Sequence, residues 1–206
     1  EGTMYSARGF QISAKNLGVL ALPNTCERCF WLKAHAGRLP FQIFPGIFSS
    51  IDAYSKRVTG LHHVKFGQIP GWLGCGGAPV PVPHHTKFRV FDPQSGIVLT
   101  GVPDELLRSD AGLAILDYKT ARFTDTQDEL LPLYRAQLNA YAFIAESLGM
   151  GPVVGMGLVY YEPVTDIAAG DLRRVLLKDG FKMAFKAKGL PVQRDEALIP
   201  GLLARA

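Results

Sequence analysis

A strand, a long helix and a second strand follow one another between residues 113 and 161, and this order constrains the fold more than any other feature. Residues 113–119 read Leu-Ala-Ile-Leu-Asp-Tyr-Lys, a short, mostly apolar run of strand length. Over residues 133–148, Leu133, Gln137, Ala140, Tyr141, Ile144 and Leu148 fall on one stripe, and Gly149 and Gly151 end the pattern, as in an amphipathic helix. Residues 153–161 are rich in β-branched and aromatic types and close at Glu162-Pro163, which reads as a strand. A strand reached through a helix of this length returns parallel to the first on the same sheet. The expected fold class is α/β (α+β): a central mixed β-sheet of four or five strands, with the 114–119 strand inside and helices on both sides.

The remaining segments arrange themselves around that unit. Residues 11–36 read as two short helices, with Ser13 an N-cap and Pro23-Asn24 the break before a second helix near Thr25. Ile47, Ile51, Tyr54 and Val58 have helical spacing that ends before Gly60, so one face of this helix should pack on the core. Residues 67–83 are dense in glycine and proline, which makes them a long loop, placed to border a substrate channel. Runs at 87–91, 97–103 and 113–119 are separated by turn residues and read as a three-stranded antiparallel meander. Lys178, Lys182, Lys186 and Lys188 recur at about one helical turn, which predicts a basic amphipathic helix over about 171–188.

At 206 residues, 48% hydrophobic and 19% charged, the chain has the size and apolar content of one compact domain. The expected division is a helical part over about 11–60, a core over about 87–161 and the basic helix, all within a single domain 1–206. No apolar stretch approaches the roughly 18–20 residues that span a bilayer, and the first thirty residues lack the order of a signal peptide, so an intracellular protein without membrane contact is expected. Cys26, Cys29 and Cys75 are an odd number in such a chain, which favours thiols, packed beneath the N-terminal helices, over a disulfide framework. The net charge of +4 tilts the partners mildly toward phosphate-bearing molecules.

The residues able to carry chemistry lie on the central strand and just before it. Side chains alternate along a strand, so Asp117 and Lys119 project from one face and Tyr118 from the other. Should the neighbouring strand bring Asp104 to the same edge, two carboxylates converge, with the backbone carbonyl of Tyr118 as a third oxygen. Such a set suits Mg²⁺ or Mn²⁺ better than zinc. An isolated Asp-Xaa-Lys is more often a surface ion pair worth about 0–1 kcal/mol, and Asp104 alone would be a turn cap; the sequence context decides between the readings.

That context is Gly101-Val102-Pro103-Asp104, a turn, and then Ile115-Leu116-Asp117-Tyr118-Lys119-Thr120. It resembles the active-site hairpin of the PD-(D/E)XK nuclease superfamily in its RecB-like and CRISPR-associated RecB-like branch. Gln137 and Tyr141 resemble the Gln-Xaa-Xaa-Xaa-Tyr helix motif that follows the hairpin there. Cys26-Glu27-Arg28-Cys29-Phe30 is similar to a Cys-Pro-Arg-Xaa-Phe segment on the relatives' N-terminal helix. The matches run in the family's order over about residues 13–161. The resemblance implies a restriction-endonuclease-like core and metal-dependent hydrolysis of DNA phosphodiester bonds by a metal-activated water. Asp104, Asp117 and the Tyr118 carbonyl would be metal ligands, Lys119 the catalytic lysine, and Gln137 and Tyr141 would help place the scissile phosphate.

Two departures accompany the likeness. Many RecB-like nucleases carry a histidine ligand on an upstream helix, whereas residues 46–52 here hold Ser49, Ser50 and Asp52; Asp52 substitutes through a water or has a surface role, and His62 and His63 lie beyond this stretch. Relatives with an iron–sulfur cluster use four thiolates, most of them after the core, and no cysteine follows Cys75, so no cluster is expected; a zinc site using Cys26, Cys29, Cys75 and His84 or His85 is the lesser alternative to thiols. The competing function is a catalytically weak or inactive nucleic-acid-binding module that keeps the fold and grips through Arg89, Arg122, Lys182 and Lys186.

Overall fold

The computed structural model describes residues 10–36, 46–122 and 129–206. Its centre is β6, Gly112–Lys119, buried along all but its last residue, as the apolar run requires. It pairs antiparallel with β5, Glu105–Ser109, and parallel with β7, Val153–Pro163. Helix α4, Leu131–Ser147, makes the crossover between β6 and β7. With β2, Ala78–Val80, and β10, Phe185–Pro191, at its edges, the mixed sheet has the order β10-β7-β6-β5-β2 among the described residues. This is the restriction-endonuclease-like α/β arrangement, with β6 inside and helices beside the sheet.

The sheet buries both faces. Leu106, Leu113, Ile115 and Leu158 meet Leu138 and Ile144 of α4 on one side, in a cluster that runs from Ile12 to Leu203 along the sequence. On the other side Leu107, Ala114, Leu116, Tyr118, Val159 and Tyr161 form a second cluster. The alternation of β6 therefore sends Asp117 and Lys119 toward α4 and Tyr118 away from it.

Several expectations need correction. The three runs over 87–119 are not one meander. β3, Arg89–Asp92, and β4, Ile97–Thr100, form a separate sheet with β1, Phe10–Ser13, which lies parallel to β4, while residues 105–109 supply the partner of β6. The N-terminal part thus opens on a strand. Ser13 then caps α1, Ala14–Gly18, by accepting the Asn16 N–H, and α2 occupies Glu27–Ala36. Helix α3, Gly46–Phe66, runs through Gly60, because a glycine inside a helix costs only about 1 kcal/mol relative to alanine. It stops at Gly67, whose φ of 68° supplies the left-handed cap. Its buried residues are Ser55 and Thr59, not the apolar stripe, which is largely exposed.

The basic helix over 171–188 is also replaced. A four-residue helix α5, Leu172–Val175, precedes a small hairpin of β8, Leu176–Leu177, and β9, Gly180–Phe181, turned at Asp179. β10 then pairs antiparallel with β7. A spacing of four fits a strand as well as a helix, since it is a multiple of two, and the half-buried Phe185 and Ala187 alternate with exposed Lys186 and Lys188. Helix α6, Leu198–Arg205, closes the described chain against α1 and α4. No helix among the described residues is long and apolar enough to cross a membrane.

Candidate active site

Asp104 stands one residue before β5, and the pairing of Glu105 with Leu116 places it opposite Asp117 on the α4 face. The Tyr118 N–H donates to Asp104 Oδ2 at 2.6 Å, which ties the aspartate to the peptide between Asp117 and Lys119. Lys119 Nζ lies 2.5 Å from Asp117 Oδ2 and donates to Gln137 Oε1 at 3.3 Å. Gln137 Nε2 in turn donates to Asp117 Oδ1 at 3.0 Å and to Tyr141 Oη at 2.7 Å. Helical spacing on α4 sets Gln137 and Tyr141 one turn apart on the face that covers β6. The structure thus gathers Asp104, Asp117, Lys119, Gln137 and Tyr141 at one place.

Packing holds this group. The Tyr141 ring lies against Gly101, where an added Cβ would fall 2.5 Å from Cε1, so only glycine lets the ring seat there. Lys119 Nζ sits 4.1 Å from the centre of the Tyr134 ring, a cation–π distance that leaves its ammonium aimed along the cleft. The cleft, of about 710 Å³, is lined by Lys119, Tyr134, Asp52, Phe48 and two further lysines, Lys15 and Lys33.

Burial dominates the electrostatics of Asp117 and pushes its carboxyl up to about 6; Lys119 opposes the rise and Asp104 adds to it. Burial also lifts the Tyr141 hydroxyl well above the ordinary phenol range, with Asp117 adding to the rise, so it stays protonated. Asp117 Oδ2 is buried and ion-paired, yet accepts no aligned hydrogen bond. A buried carboxylate oxygen with that spare capacity, beside a second carboxylate, fits a hard divalent cation. Tyr118 itself points to the opposite face, where its hydroxyl donates to Glu105 Oε2 at 3.2 Å.

Sequence reasoning missed Lys56. Asp52, Ser55, Lys56 and Thr59 share one stripe of α3, and Thr59 lies 3.5 Å from the Tyr118 hydroxyl. Lys56 Nζ reaches Asp104 Oδ1 at 2.7 Å and Asp52 Oδ2 at 2.9 Å. The Asp52–Lys56 pair at i and i+4 was the available signal. Asp52 is therefore tied to the site through Lys56 and is not an isolated surface residue. Among the described residues no three His, Cys, Asp or Glu side chains come together as a ready-made metal group. Cys26 and Cys29 are exposed at the start of α2 and Cys75 lies half-buried beside the second cluster, so these thiols are not packed beneath the N-terminal helices. A helix start leaves its first turn on the surface unless other elements cover it.

The sequence profile described as the PD-(D/E)XK nuclease superfamily matches residues 48–195, most of the chain and all of the site. The chain belongs to the PD-(D/E)XK nuclease superfamily. This nuclease-family chain is also 36% identical over 69 residues to one component of the ATP-dependent helicase/nuclease of Ligilactobacillus salivarius (strain UCC118), a RecB-like protein. The match takes in 34% of this chain and 5% of that relative, so the chain spans only a small part of the relative's length. A solved structure described as SSO0001 aligns over 98% of the chain and 77% of its own, at 14% identity and a TM-score of 0.43.

Proposed function

We propose that this PD-(D/E)XK chain is a divalent-metal-dependent deoxyribonuclease of the RecB-like branch. The observation that carries the reading is the juxtaposition of Asp104 and Asp117 on one face of the β5–β6 hairpin, with Lys119 2.5 Å from Asp117. Asp104, Asp117 and the Tyr118 carbonyl would hold Mg²⁺ or Mn²⁺. Such an ion, when bound, supplies Lewis acidity toward a phosphodiester oxygen and lowers the pKa of water. Lys119 contributes a fixed positive charge where negative charge builds on the phosphorane. Gln137 bridges Asp117, Lys119 and Tyr141 and so holds the lysine and the carboxylate in one orientation.

DNA is assigned by analogy with the family and with the helicase/nuclease relative. The exposed Lys188 lies in the same cross-sheet row as Lys119, two strands away, or about 10 Å at ordinary strand spacing. Together with Lys15 and Lys33 in the cleft it supports a polyanion path across the α4 face. The whole chain is read as a single nuclease domain, because one buried cluster draws on residues from Ile12 to Leu203.

Cleavage of DNA in Mg²⁺, with and without EDTA, tests the reading on the parent, Asp117→Asn and Lys119→Ala. Both variants are expected to fold and to lose about 10²–10³ in rate or more, as groups stabilising a transition state do. Asp117→Asn removes a ligand, so high Mn²⁺ restores part of its turnover; Lys119→Ala keeps metal and DNA binding while the chemical step fails. If both cut at the parent rate the hairpin is structural. The second reading, a weakly catalytic or inactive binding module, draws on the neutralisation of Asp104 by Lys56. A parent that binds DNA but never cuts it, with or without metal, would establish it.

A further inference from the structure

We infer that Lys56 is a built-in counter-ion for Asp104, which a metal ion must displace and which Asp52 retains at the rim of the site. The inference rests on the reading of Asp104 as a metal ligand. Asp104 has two carboxylate oxygens, and both are engaged: Oδ2 accepts the Tyr118 N–H and Oδ1 meets the Lys56 ammonium at 2.7 Å. The Oδ2 contact is part of the hairpin and stays with it. Oδ1 is the oxygen open to exchange, and a cation can use it only by taking the place of the ammonium.

The arrangement around Lys56 supplies the alternative position. Its Nζ is already 2.9 Å from Asp52 one turn earlier on α3, so leaving Asp104 does not leave the ammonium alone. Burial opposes the charge on Lys56, whereas Asp104 and Asp52 both favour it, and the side chain remains 39% exposed, which leaves it room to swing. Its helix is fixed beside it, because Ser55 and Thr59 are buried and Thr59 meets the Tyr118 hydroxyl. The exchange is therefore a side-chain movement against a fixed backbone. Asp117 is neutralised in the same way by Lys119, but that lysine is 14% exposed and held by Gln137, so the two lysines differ in freedom. Lys56 is a positioning residue: it sets how readily Asp104 accepts a cation.

Calorimetric titration with Mn²⁺ at fixed pH and ionic strength tests this on the whole chain. Lys56→Gln is expected to tighten Mn²⁺ binding about fivefold, the upper end of what a partly exposed pair contributes, while Lys56→Arg keeps the charge and stays near the parent. Asp52→Asn is expected to weaken binding about twofold in the parent, because the displaced ammonium loses its second partner, and to change nothing when Lys56→Gln is already present. Mn²⁺ affinity in Lys56→Gln equal to that of the parent overturns the inference. An undiminished Asp52→Asn loss in the double variant also overturns it, since Asp52 would then act on the metal directly. A parent that takes up no Mn²⁺ fails one step earlier and overturns the metal reading together with the inference built on it.

Discussion

The β5–β6 hairpin with α4 and the helix α3 reach the same site by opposite means. The hairpin and α4 are buried: Leu106, Leu113, Ile115, Leu138 and Ile144 fill the space between them, and Asp117, Lys119, Gln137 and Tyr141 are fixed by bonds to one another. Helix α3 buries only Ser55 and Thr59, and leaves Val64 82% and Tyr54 66% exposed. One region is held by apolar packing, the other by a polar stripe. The first should give a rigid framework for chemistry, and the second an adjustable wall carrying Lys56.

Core truncation gives the largest expected contrast. Leu138→Ala on α4 should cost about 2–5 kcal/mol in urea unfolding, as buried leucines do, and comparable losses from α3 substitutions would erase the distinction. Next comes Gly101→Ala, whose added methyl must displace the buried Tyr141 ring, at about 1–3 kcal/mol and with reduced cleavage. Wild-type stability in this variant would mean that the ring has space the structure does not show.

The pH dependence of Asp117 is a subtler test. Its folded value of about 6 lies above the ordinary 3.8, so the folded chain holds the extra proton between those values. Its contribution to metal-free stability is full below about 3.8 and is lost as pH rises through about 6. Urea unfolding in EDTA across pH 4–7 should show the parent losing stability relative to Asp117→Asn as pH rises; parallel curves would remove burial as the governing influence. Smallest of all is Val64→Ser on α3, expected within about 0.5 kcal/mol of the parent in the same unfolding measurement. A larger loss would show that this face is covered in solution.

The same contrast explains how far the sequence could be read. Residues 113–119, 131–147 and 153–163 must satisfy the packing of one sheet and one crossover helix, so their periodicity carried the fold, the placement of Asp117 and Lys119, and the stripe with Gln137 and Tyr141. Residues 105–109 alternate too briefly to stand out as a strand, and without them the hairpin was joined to the wrong partner. The lysines at 178, 182 and 186 fitted two periods at once, and only the alternation of Phe185 and Ala187 with lysine, read against β7, separates them. Lys56 was hidden for another reason. Its partner Asp104 lies 48 positions later, and a single ion pair between distant segments leaves no periodic trace.

A crystal soaked in Mn²⁺ and read for anomalous signal tests the central claim most directly. The account predicts a peak between Asp104 and Asp117, with the Lys56 ammonium withdrawn toward Asp52. An ordered site with no peak, and with Lys56 and Lys119 still paired to the two aspartates, would contradict it.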